Sequence, residues 1–206
     1  MMKEINRNVV DILLVTCGSK KDLVKTVKSV FNQTFKNWRL FLVDDCSDDF
    51  YISNYLDSLI NSCENIFVIR NDTREGLTNN LIKLHPYINA EYIARIDAGD
   101  TWDKNKLDIQ IGFMNSHPEV GLVGSQVRYI SENKEIVGVS SFPQEFSLIK
   151  DKCSTNIGLF CHSSIVFRKN SNIFYRELYY YSQDLDLYLQ FVSANIQITN
   201  IEKVLC

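Results

Sequence analysis

The sequence lacks the features that mark several large classes of protein. Its 22 lysines and arginines are balanced by 25 aspartates and glutamates, so there is no excess of positive charge to bind a polyanion. No apolar run is long enough for a membrane span or a signal peptide. The 3 prolines and 8 glycines form no linker-like stretch. A nucleic-acid partner, an export signal and a division into separate domains are therefore not expected.

Cysteine and histidine are present, but not in the pattern of a structural metal site. The 6 cysteines include no Cys-x-x-Cys pair, and the 3 histidines do not fall at zinc-ligand spacing from them. We therefore expect no structural zinc, and we interpret the cysteines as free thiols in a reducing cytoplasm.

Apolar segments alternate with amphipathic segments through the first half of the chain. With 206 residues, of which 45% are hydrophobic, the chain is long enough to bury one substantial core. The alternation predicts an α/β domain with a mostly parallel sheet and helices on both faces. Four apolar segments are predicted to be strands, each followed by a predicted helix: VVDILLVTC, RLFLVDD, NIFVIRN and EYIARID. The helix after NIFVIRN is expected at about 77 to 88.

After about residue 120 the pattern changes. The segments VGLVGSQVRYI and IVGVSSF, joined by the turn-like SENKE, predict a small β-hairpin region. A helix, the strand SSIVFR and a helix through DLDLYLQFV follow. No internal repeat or low-complexity segment separates the two halves, so one domain is expected over residues 1–206.

Acidic residues stand where two of the predicted strands end. LFLVDDCSDD places Asp45 at one strand end, and IARIDAGD places Asp97 and Asp100 at another. Ligands of open α/β sheets bind beyond these strand ends, where a partly desolvated carboxylate needs a cation, a metal ion or a ligand donor. A divalent ion bound to a substrate diphosphate would satisfy them. Three further acids are interpreted as helix N-caps: Asp48, Asp49 and Asp103.

Five segments follow one another through nearly the whole chain: ILLVTCGSKKDLVKTVKSVFNQTFKNWRLFLVDDCSDD, NDTREGLTNNL, EYIARIDAGDTWDKNKLDIQIGFMNSHPEVGLVGSQV, CHSSIVFRK and QDLDLYLQF. In order and spacing they resemble the family 2 inverting glycosyltransferases of GT-A fold. The resemblance implies a Rossmann-like α/β sheet with a nucleotide-sugar-binding half over about 1–118 and an acceptor-binding half over about 119–206. It also implies transfer of a sugar from a nucleotide-diphosphate donor to an acceptor hydroxyl, with inversion.

The resemblance gives roles to the strand-end residues. Thr16 and Asp45 match positions that hold the nucleobase. A carboxylate accepts the imide N–H of uracil, which cytosine lacks, so a UDP-sugar is the expected donor, although thymidine presents the same edge. The family's metal motif reads Asp-x-Asp-Asp, whereas DAGD has Gly99 in place of the middle acid. Asp100 is the expected ligand of Mn²⁺ or Mg²⁺, and Asp97 is expected near the ribose or a metal-bound water. Gly99 either lets the backbone approach the ribose or weakens metal binding.

The resemblance also implies a catalytic base in QDLDLYLQF. The family has a Glu-Asp-like pair before this helix, and Gln183 and Asp184 stand in its place. The Asp184 carboxylate would take the proton of the acceptor hydroxyl as that hydroxyl attacks the anomeric carbon. Asp186 is the alternative base. Both acids could instead serve only to stabilise the N-terminus of the helix.

Two further residues are expected to support the site. Arg95 lies on the same side of its strand as Asp97, and it is expected to be the buried partner of that carboxylate rather than a diphosphate ligand. His162, in CHSSIVFR, matches a His-Ser-Ser segment of the family. It is expected to serve the acceptor site or to hold neighbouring groups, not to transfer a proton.

The resemblance extends to partners and location. The expected acceptor is a saccharide or a lipid-linked saccharide, and the expected role is synthesis of cell-surface polysaccharide or glycoconjugate, with peripheral association at the inner membrane face. Two alternatives remain. One is a catalytically silent, nucleotide-sugar-binding member of the family, favoured by Gly99. The other is a phospho-receiver domain, because FLVDD resembles its acidic strand end. No GxGxxG follows a strand, so a dehydrogenase is not supported.

Overall fold

The computed structural model describes residues 6–153 and 158–206. Its strands and α-helices alternate as the sequence predicts, with one additional strand at the end. In chain order they are β1 (Asn6–Thr16), α1 (Lys20–Phe31), β2 (Trp38–Asp44), α2 (Phe50–Ser62), β3 (Ile66–Arg70), α3 (Leu77–Leu84), β4 (Ala90–Asp97), α4 (Lys106–Ser116), β5 (Val120–Gln126), β6 (Arg128–Ile130), β7 (Ile136–Val139), α5 (Phe146–Lys152), β8 (Val166–Arg168), α6 (Gln183–Ser193) and β9 (Gln197–Val204).

Seven of the strands form one sheet in the order β3-β2-β1-β4-β8-β5-β9. All neighbouring pairs are parallel except those of β8, which runs antiparallel to both β4 and β5. Strands β6 and β7 form a separate antiparallel hairpin. The mostly parallel α/β sheet and the hairpin are therefore confirmed.

The sheet is covered on both faces, and alternate residues of its central strand point to opposite layers. Ile12 and Leu14 of β1 pack in one apolar cluster with residues of α1, α2 and α4. Leu13, between them, packs in a second cluster with residues of α3, α5 and α6. This alternation follows from the two-residue period of a strand buried on both faces.

The structure departs from the sequence predictions at three places in the chain. The sequence predictions contain no strand at the position of β9, because QITNIEKV alternates apolar and polar residues too weakly to be distinguished from a loop. The sequence predicts VGLVGSQ as part of the hairpin. In the structure this segment is β5, which joins the main sheet, and only Arg128–Ile130 pairs with β7. The helix predicted to run to about residue 88 ends at Leu84 and continues as a 3₁₀ turn over His85–Tyr87.

The N-cap interpretation holds for one of three acids. Asp49 precedes α2 and accepts a backbone N–H of its first turn at 2.8 Å. Asp48 does not cap the helix; it is exposed and pairs with Arg74. Asp103 lies two residues before the N-cap residue Asn105, whose N–H it accepts at 2.8 Å. The prediction is therefore wrong for Asp48 and Asp103, since short acidic side chains stabilise turns as readily as helix starts.

The strand register brings the sequence-distant acids to one edge of the sheet. Thr16 is the register partner of Asp44 on β2, and Val15 is the partner of Asp97 on β4. The carboxyl ends of β1, β2 and β4 therefore lie side by side.

None of the helices in the described ranges combines the length and the hydropathy that a membrane span requires.

A buried ion pair joins the amino-terminal parts of the same three strands. Asp11 of β1 is fully buried and accepts both Nε and Nη2 of Arg39 on β2, at 2.8 and 2.7 Å. It also accepts the backbone N–H groups of Asn89 and Ala90 at the start of β4, each at 3.0 Å. One carboxylate of β1 thus accepts donors from both neighbouring strands, β2 and β4.

We predict that Arg39→Met lowers the free energy of unfolding by about 3 kcal/mol, because it leaves the buried Asp11 carboxylate without its cation. Urea denaturation followed by circular dichroism measures the change. Arg70→Met is the matched control, because it removes an exposed ion pair with Asp57 and should cost less than about 1 kcal/mol. Equal losses in the two variants would contradict a stabilising role for the buried pair.

Candidate active site

A cleft of about 320 Å³ lies beyond the carboxyl ends of β1, β2 and β4. Thr16, Asp45 and Asp97 line it together with the loop after β1 and with Gly76, which precedes α3. Three of the residues singled out from the sequence therefore share one cavity. Its place at the strand ends is where open α/β sheets bind ligands.

The carboxylate of Asp45 is held at the wall of this cleft by nearby donors. It accepts the N–H of Glu75 at 2.8 Å, the N–H of Gly76 at 2.9 Å and the side-chain amide of Asn71 at 2.9 Å. Burial disfavours its charge, but these bonds and one from Asn80 outweigh burial and lower the pKa of Asp45. Asp45 is thus a fixed anion in the cleft, and its Oδ2, which accepts the Gly76 N–H, has lone-pair capacity for a further donor.

The hydroxyl of Thr16 is unpaired within the described residues. The residue is 2% exposed, and its Oγ1 is buried without a hydrogen bond. Buried polar groups are nearly always paired in folded proteins. Because Thr16 lines the same cleft as Asp45, a rotation of its side chain would bring the hydroxyl to a polar group of a bound ligand.

Arg95 and Asp97 form an ion pair at the floor of the site. Arg95 is fully buried, and its guanidinium donates to Asp97 and to the carbonyl oxygens of Leu13 and Ile96. Ser163 donates to the second carboxylate oxygen of Asp97 at 3.2 Å. Burial raises the pKa of Asp97, but the charge of Arg95 and these hydrogen bonds outweigh burial and lower it. Asp97 is therefore an anion whose orientation is fixed before any ligand binds.

Asp100 differs from Asp97 because it is exposed at the rim of the site. Its backbone N–H bonds the Asp97 carbonyl at 3.1 Å, and its own carbonyl accepts Oγ1 of Thr26 at 2.8 Å. Although the residue as a whole is exposed, its carboxyl group is partly desolvated by its surroundings. This desolvation and, after it, the charge of Asp97 raise the pKa of Asp100. Gly99, between the two acids, has a φ of +107°, a conformation that a side chain at this position would strain. The tight turn thus supplies a backbone reason for glycine in DAGD.

A divalent ion fits the donor set at this rim. Asp97 is already neutralised by Arg95, which leaves Asp100 as the accessible carboxylate of the motif. Hard divalent ions are commonly held by one or two carboxylates, with phosphate oxygens and water completing the shell. Asp100 is the residue that would hold such an ion beside a diphosphate.

His162 begins a short 3₁₀ turn, His162–Ser164, that precedes β8. Its Nε2 is 2.8 Å from the hydroxyl of Tyr175. Burial and the nearby charge of Arg95 lower the pKa of His162 to about 4, although the charges of Asp97 and Asp184 oppose this. His162 is therefore neutral at physiological pH, and it lies within the electrostatic reach of both acids.

The two acids at the start of α6 differ in their contacts. Asp186 is 4% exposed, forms a bidentate ion pair with Arg176 and accepts Nε2 of Gln190 at 2.8 Å. Asp184 makes no hydrogen bond within the described part of the chain, and its charge acts on His162 and Tyr175. Asp186 is therefore engaged in the fold, whereas the Asp184 carboxylate is available for chemistry.

Several residues that shape the site had no role in the sequence analysis. Glu75 and Gly76 hold Asp45 through their backbone, so no side-chain pattern could identify them. Gly76 has a φ of +85°, and the ring of Tyr180 lies 3.1 Å from the position a Cβ would take. The hydroxyl of Thr78 donates to the Tyr179 carbonyl at 2.9 Å. The segment before α6 thus packs on the loop that holds Asp45, a contact over about 100 residues of sequence.

The chain is similar to several known proteins. The family model described as "Glycosyl transferase family 2" matches residues 11–175. The chain is 25% identical over 204 residues to "Putative glycosyltransferase EpsE" of Bacillus subtilis, covering 95% of this chain and 71% of that protein. It is 27% identical over 201 residues to "UDP-Glc:alpha-D-GlcNAc-diphosphoundecaprenol beta-1,3-glucosyltransferase WfgD" of Escherichia coli, covering 96% of this chain and 74% of that protein.

A solved structure shows the same fold. The crystal structure of S. aureus TarS 1-349 in complex with UDP superposes with a TM-score of 0.74 at 18% identity. The match covers 95% of this chain, which spans 59% of the TarS chain. At this identity the likeness extends to the fold alone.

We predict that His162 makes stability fall at acid pH. Its pKa of about 4 in the folded chain lies below the ordinary 6.5, so protons bind preferentially to the unfolded chain as pH falls from about 6.5 towards 4. Between pH 7 and pH 5, wild type should lose about 1 to 2 kcal/mol more unfolding free energy than His162→Gln. Urea denaturation at both pH values measures the difference. Identical pH dependence of the two proteins would show that His162 is not buried in its neutral form.

Proposed function

The chain belongs to glycosyl transferase family 2, and we propose that it transfers a sugar from a UDP-sugar to an acceptor hydroxyl with inversion at the anomeric carbon. Its fold is of the GT-A type, and the family match removes the phospho-receiver alternative. The observation that carries the proposal is the convergence of Thr16, Asp45 and Asp97 on one cleft, with Asp100 at the adjacent rim. We assign about 1–118 to donor binding and about 119–206 to acceptor binding.

The donor's nucleobase is assigned to the inner end of the cleft. Asp45 is a fixed carboxylate that accepts the imide N–H of uracil, and Thr16 offers a hydroxyl without an internal partner. Cytosine has no N–H at the corresponding ring position, so the same carboxylate would disfavour it. The UDP complex of the structurally similar TarS supports this choice of donor.

The diphosphate is assigned to the rim, where Asp100 would hold a Mn²⁺ or Mg²⁺ ion. When bound, such an ion stabilises the negative charge of the departing diphosphate. Asp97, fixed by Arg95 and Ser163, is positioned to accept a ribose hydroxyl or a metal-bound water. Gly99 leaves backbone rather than a side chain at the turn between the two acids.

The acceptor is assigned to the side of the cleft formed by His162 and the start of α6. Inversion requires the hydroxyl to attack from the face opposite the diphosphate, so the base must stand across the donor sugar from Asp100. Asp184 is assigned this role because its side chain makes no hydrogen bond within the described residues and its charge reaches His162, as that of Asp97 does. Asp184 takes the hydroxyl proton, while the neutral His162 and its Tyr175 partner offer polar groups to acceptor hydroxyls.

The acceptor is proposed to be a saccharide, lipid-linked in the cell, with transfer at the inner face of the membrane. The name of the similar WfgD specifies a diphosphoundecaprenol-linked acceptor. The hairpin beside the site exposes the large apolar side chains of Tyr129, Ile130, Ile136 and Val137. A role in cell-surface polysaccharide or glycoconjugate synthesis follows from such an acceptor.

A catalytically silent member of the family is the second candidate, because Gly99 removes one acid from the metal motif. Donor hydrolysis by wild type distinguishes the two. A chain that binds UDP but neither hydrolyses nor transfers the sugar of any donor would be a binding subunit.

We predict that Asp45→Ala weakens UDP binding by about 1.5 to 3 kcal/mol, because a charge-assisted hydrogen bond to the base is lost. Calorimetric titration with UDP and CDP measures the change, and CDP binding should change much less. Asp48→Ala, at an exposed ion pair nearby, is the control and should bind UDP as wild type does. Equal weakening of UDP and CDP would show that Asp45 only holds the loop at Glu75 and Gly76.

We predict that Asp184→Asn lowers kcat by about 100-fold or more with little change in the Kd for UDP, because an amide keeps the shape but cannot take the acceptor proton. Steady-state kinetics and calorimetry measure the two quantities. Asp186→Asn should show the opposite pattern, since it weakens the ion pair with Arg176: lower Tm with kcat largely kept. Loss of kcat in Asp186→Asn with Asp184→Asn unaffected would contradict the assignment of the base.

A further inference from the structure

Two cysteines and one acid meet at the rim of the cleft. The carboxylate of Asp100 and the sulfur atoms of Cys161 and Cys206 all lie within 4.8 Å of one another. All three residues line an open cavity of about 270 Å³, bounded on its other side by the hairpin residues Tyr129 and Ile130. Sequence spacing could not reveal this cluster, because its members come from three widely separated segments.

Each of the three residues is anchored independently by its own backbone. The Asp100 carbonyl accepts Oγ1 of Thr26 at 2.8 Å. The Cys161 carbonyl accepts both the N–H and the hydroxyl of Ser164, at 2.9 and 2.8 Å. The Cys206 carbonyl accepts the N–H of Arg128 at 2.9 Å. The three ligand atoms are therefore brought together by the fold, with little backbone freedom left to lose on binding an ion.

The geometry suits a tetrahedral ion. With metal–sulfur bonds of about 2.3 Å and metal–oxygen bonds of about 2.0 Å, tetrahedral ligand atoms lie roughly 3.3 to 3.8 Å apart. The three atoms lie within 4.8 Å of one another, so modest side-chain rotations are enough to bring them to this spacing. Three protein ligands leave at least one position open to an outside group, as in zinc sites that bind substrate.

We propose that Asp100, Cys161 and Cys206 form a binding site for a thiophilic divalent cation of the Zn²⁺ or Co²⁺ type. On binding, each thiol gives its proton to solvent and each thiolate donates an electron pair to the ion, with no change in oxidation state. Soft sulfur ligands select such ions over Mg²⁺, so this ion would occupy the Asp100 carboxylate in place of the Mn²⁺ or Mg²⁺ assigned to it under the proposed function. The cavity that the three residues line leaves room for an outside ligand at the open position. Assigning a diphosphate oxygen to that position rests on the proposed function, whereas the protein ligands rest on geometry alone.

Titration of the reduced, metal-free chain with Co²⁺ tests the site without any assay of sugar transfer. One equivalent should produce the near-ultraviolet thiolate-to-cobalt charge-transfer band and visible bands of tetrahedral strength. The near-ultraviolet band should be strongly reduced in Cys161→Ser and in Cys206→Ser, and lost in the double variant. Cys63→Ser, at the end of α2, is the matched control and should behave as wild type. Cobalt bound without a thiolate band, or a band that survives in the double variant, would overturn the site.

A measurement on wild type alone covers the case in which the serine variants do not fold. Zn²⁺ should slow alkylation of Cys161 and Cys206, but not of Cys63, when the modified peptides are identified by mass spectrometry. Equal alkylation with and without Zn²⁺, or a Cys161–Cys206 disulfide under reducing conditions, would overturn the proposal. Equal alkylation with and without Zn²⁺, together with transfer that is supported by Mg²⁺ and unchanged in the serine variants, would remove the thiolate site and leave the proposed function standing, so the two can fail separately.

Discussion

The buried ion pair between Arg95 and Asp97 is the interaction on which the rest of the site depends. A guanidinium with no exposed surface is tolerated only where acceptors stand close to it. Two carbonyl oxygens and the Asp97 carboxylate accept its Nη1 and Nη2 groups, whereas its Nε has no partner among the described residues. Ser163 binds the same carboxylate from the segment that leads into β8. One charge pair therefore fixes the last residue of β4 and links it to the antiparallel strand beside it. Residues that we propose bind the donor and residues that we propose bind the acceptor are therefore held in one frame.

This frame explains how similar acids acquire different roles. Asp97 and Asp45 are both held as anions by internal donors, so their orientation is fixed before a ligand arrives. Asp100 follows Asp97 after the turn at Gly99, where it is exposed and free to bind an ion. At the start of α6, Asp186 is neutralised by Arg176 and Asp184 is not. In each case the cations and hydrogen-bond donors around the acid decide whether its carboxylate is fixed by the fold or available for chemistry.

The sequence predicts the sheet well because its strands are buried on both faces and therefore read as continuous apolar runs. Strand β9 is not predicted, because it lies at the edge of the sheet and its sequence QITNIEKV carries polar residues instead of a continuous apolar run. Asp45, Asp97 and the Arg95 pair could be predicted because strand ends converge in parallel sheets. The backbone donors of Glu75 and Gly76, and the meeting of Cys161 with Cys206, could not. They depend on loop conformation and on contacts between distant segments, which leave no periodic signal.

A crystal structure of the chain with UDP and Mn²⁺ tests the central claim most directly, namely that the strand-end cleft holds the donor nucleotide. The account predicts uracil against the Asp45 carboxylate and the Thr16 hydroxyl, with the diphosphate at the rim beside Asp100. Arg95 and Asp97 should keep the arrangement they have without ligand. A nucleotide bound outside this cleft, or bound in it with the diphosphate directed away from Asp100, would contradict the account.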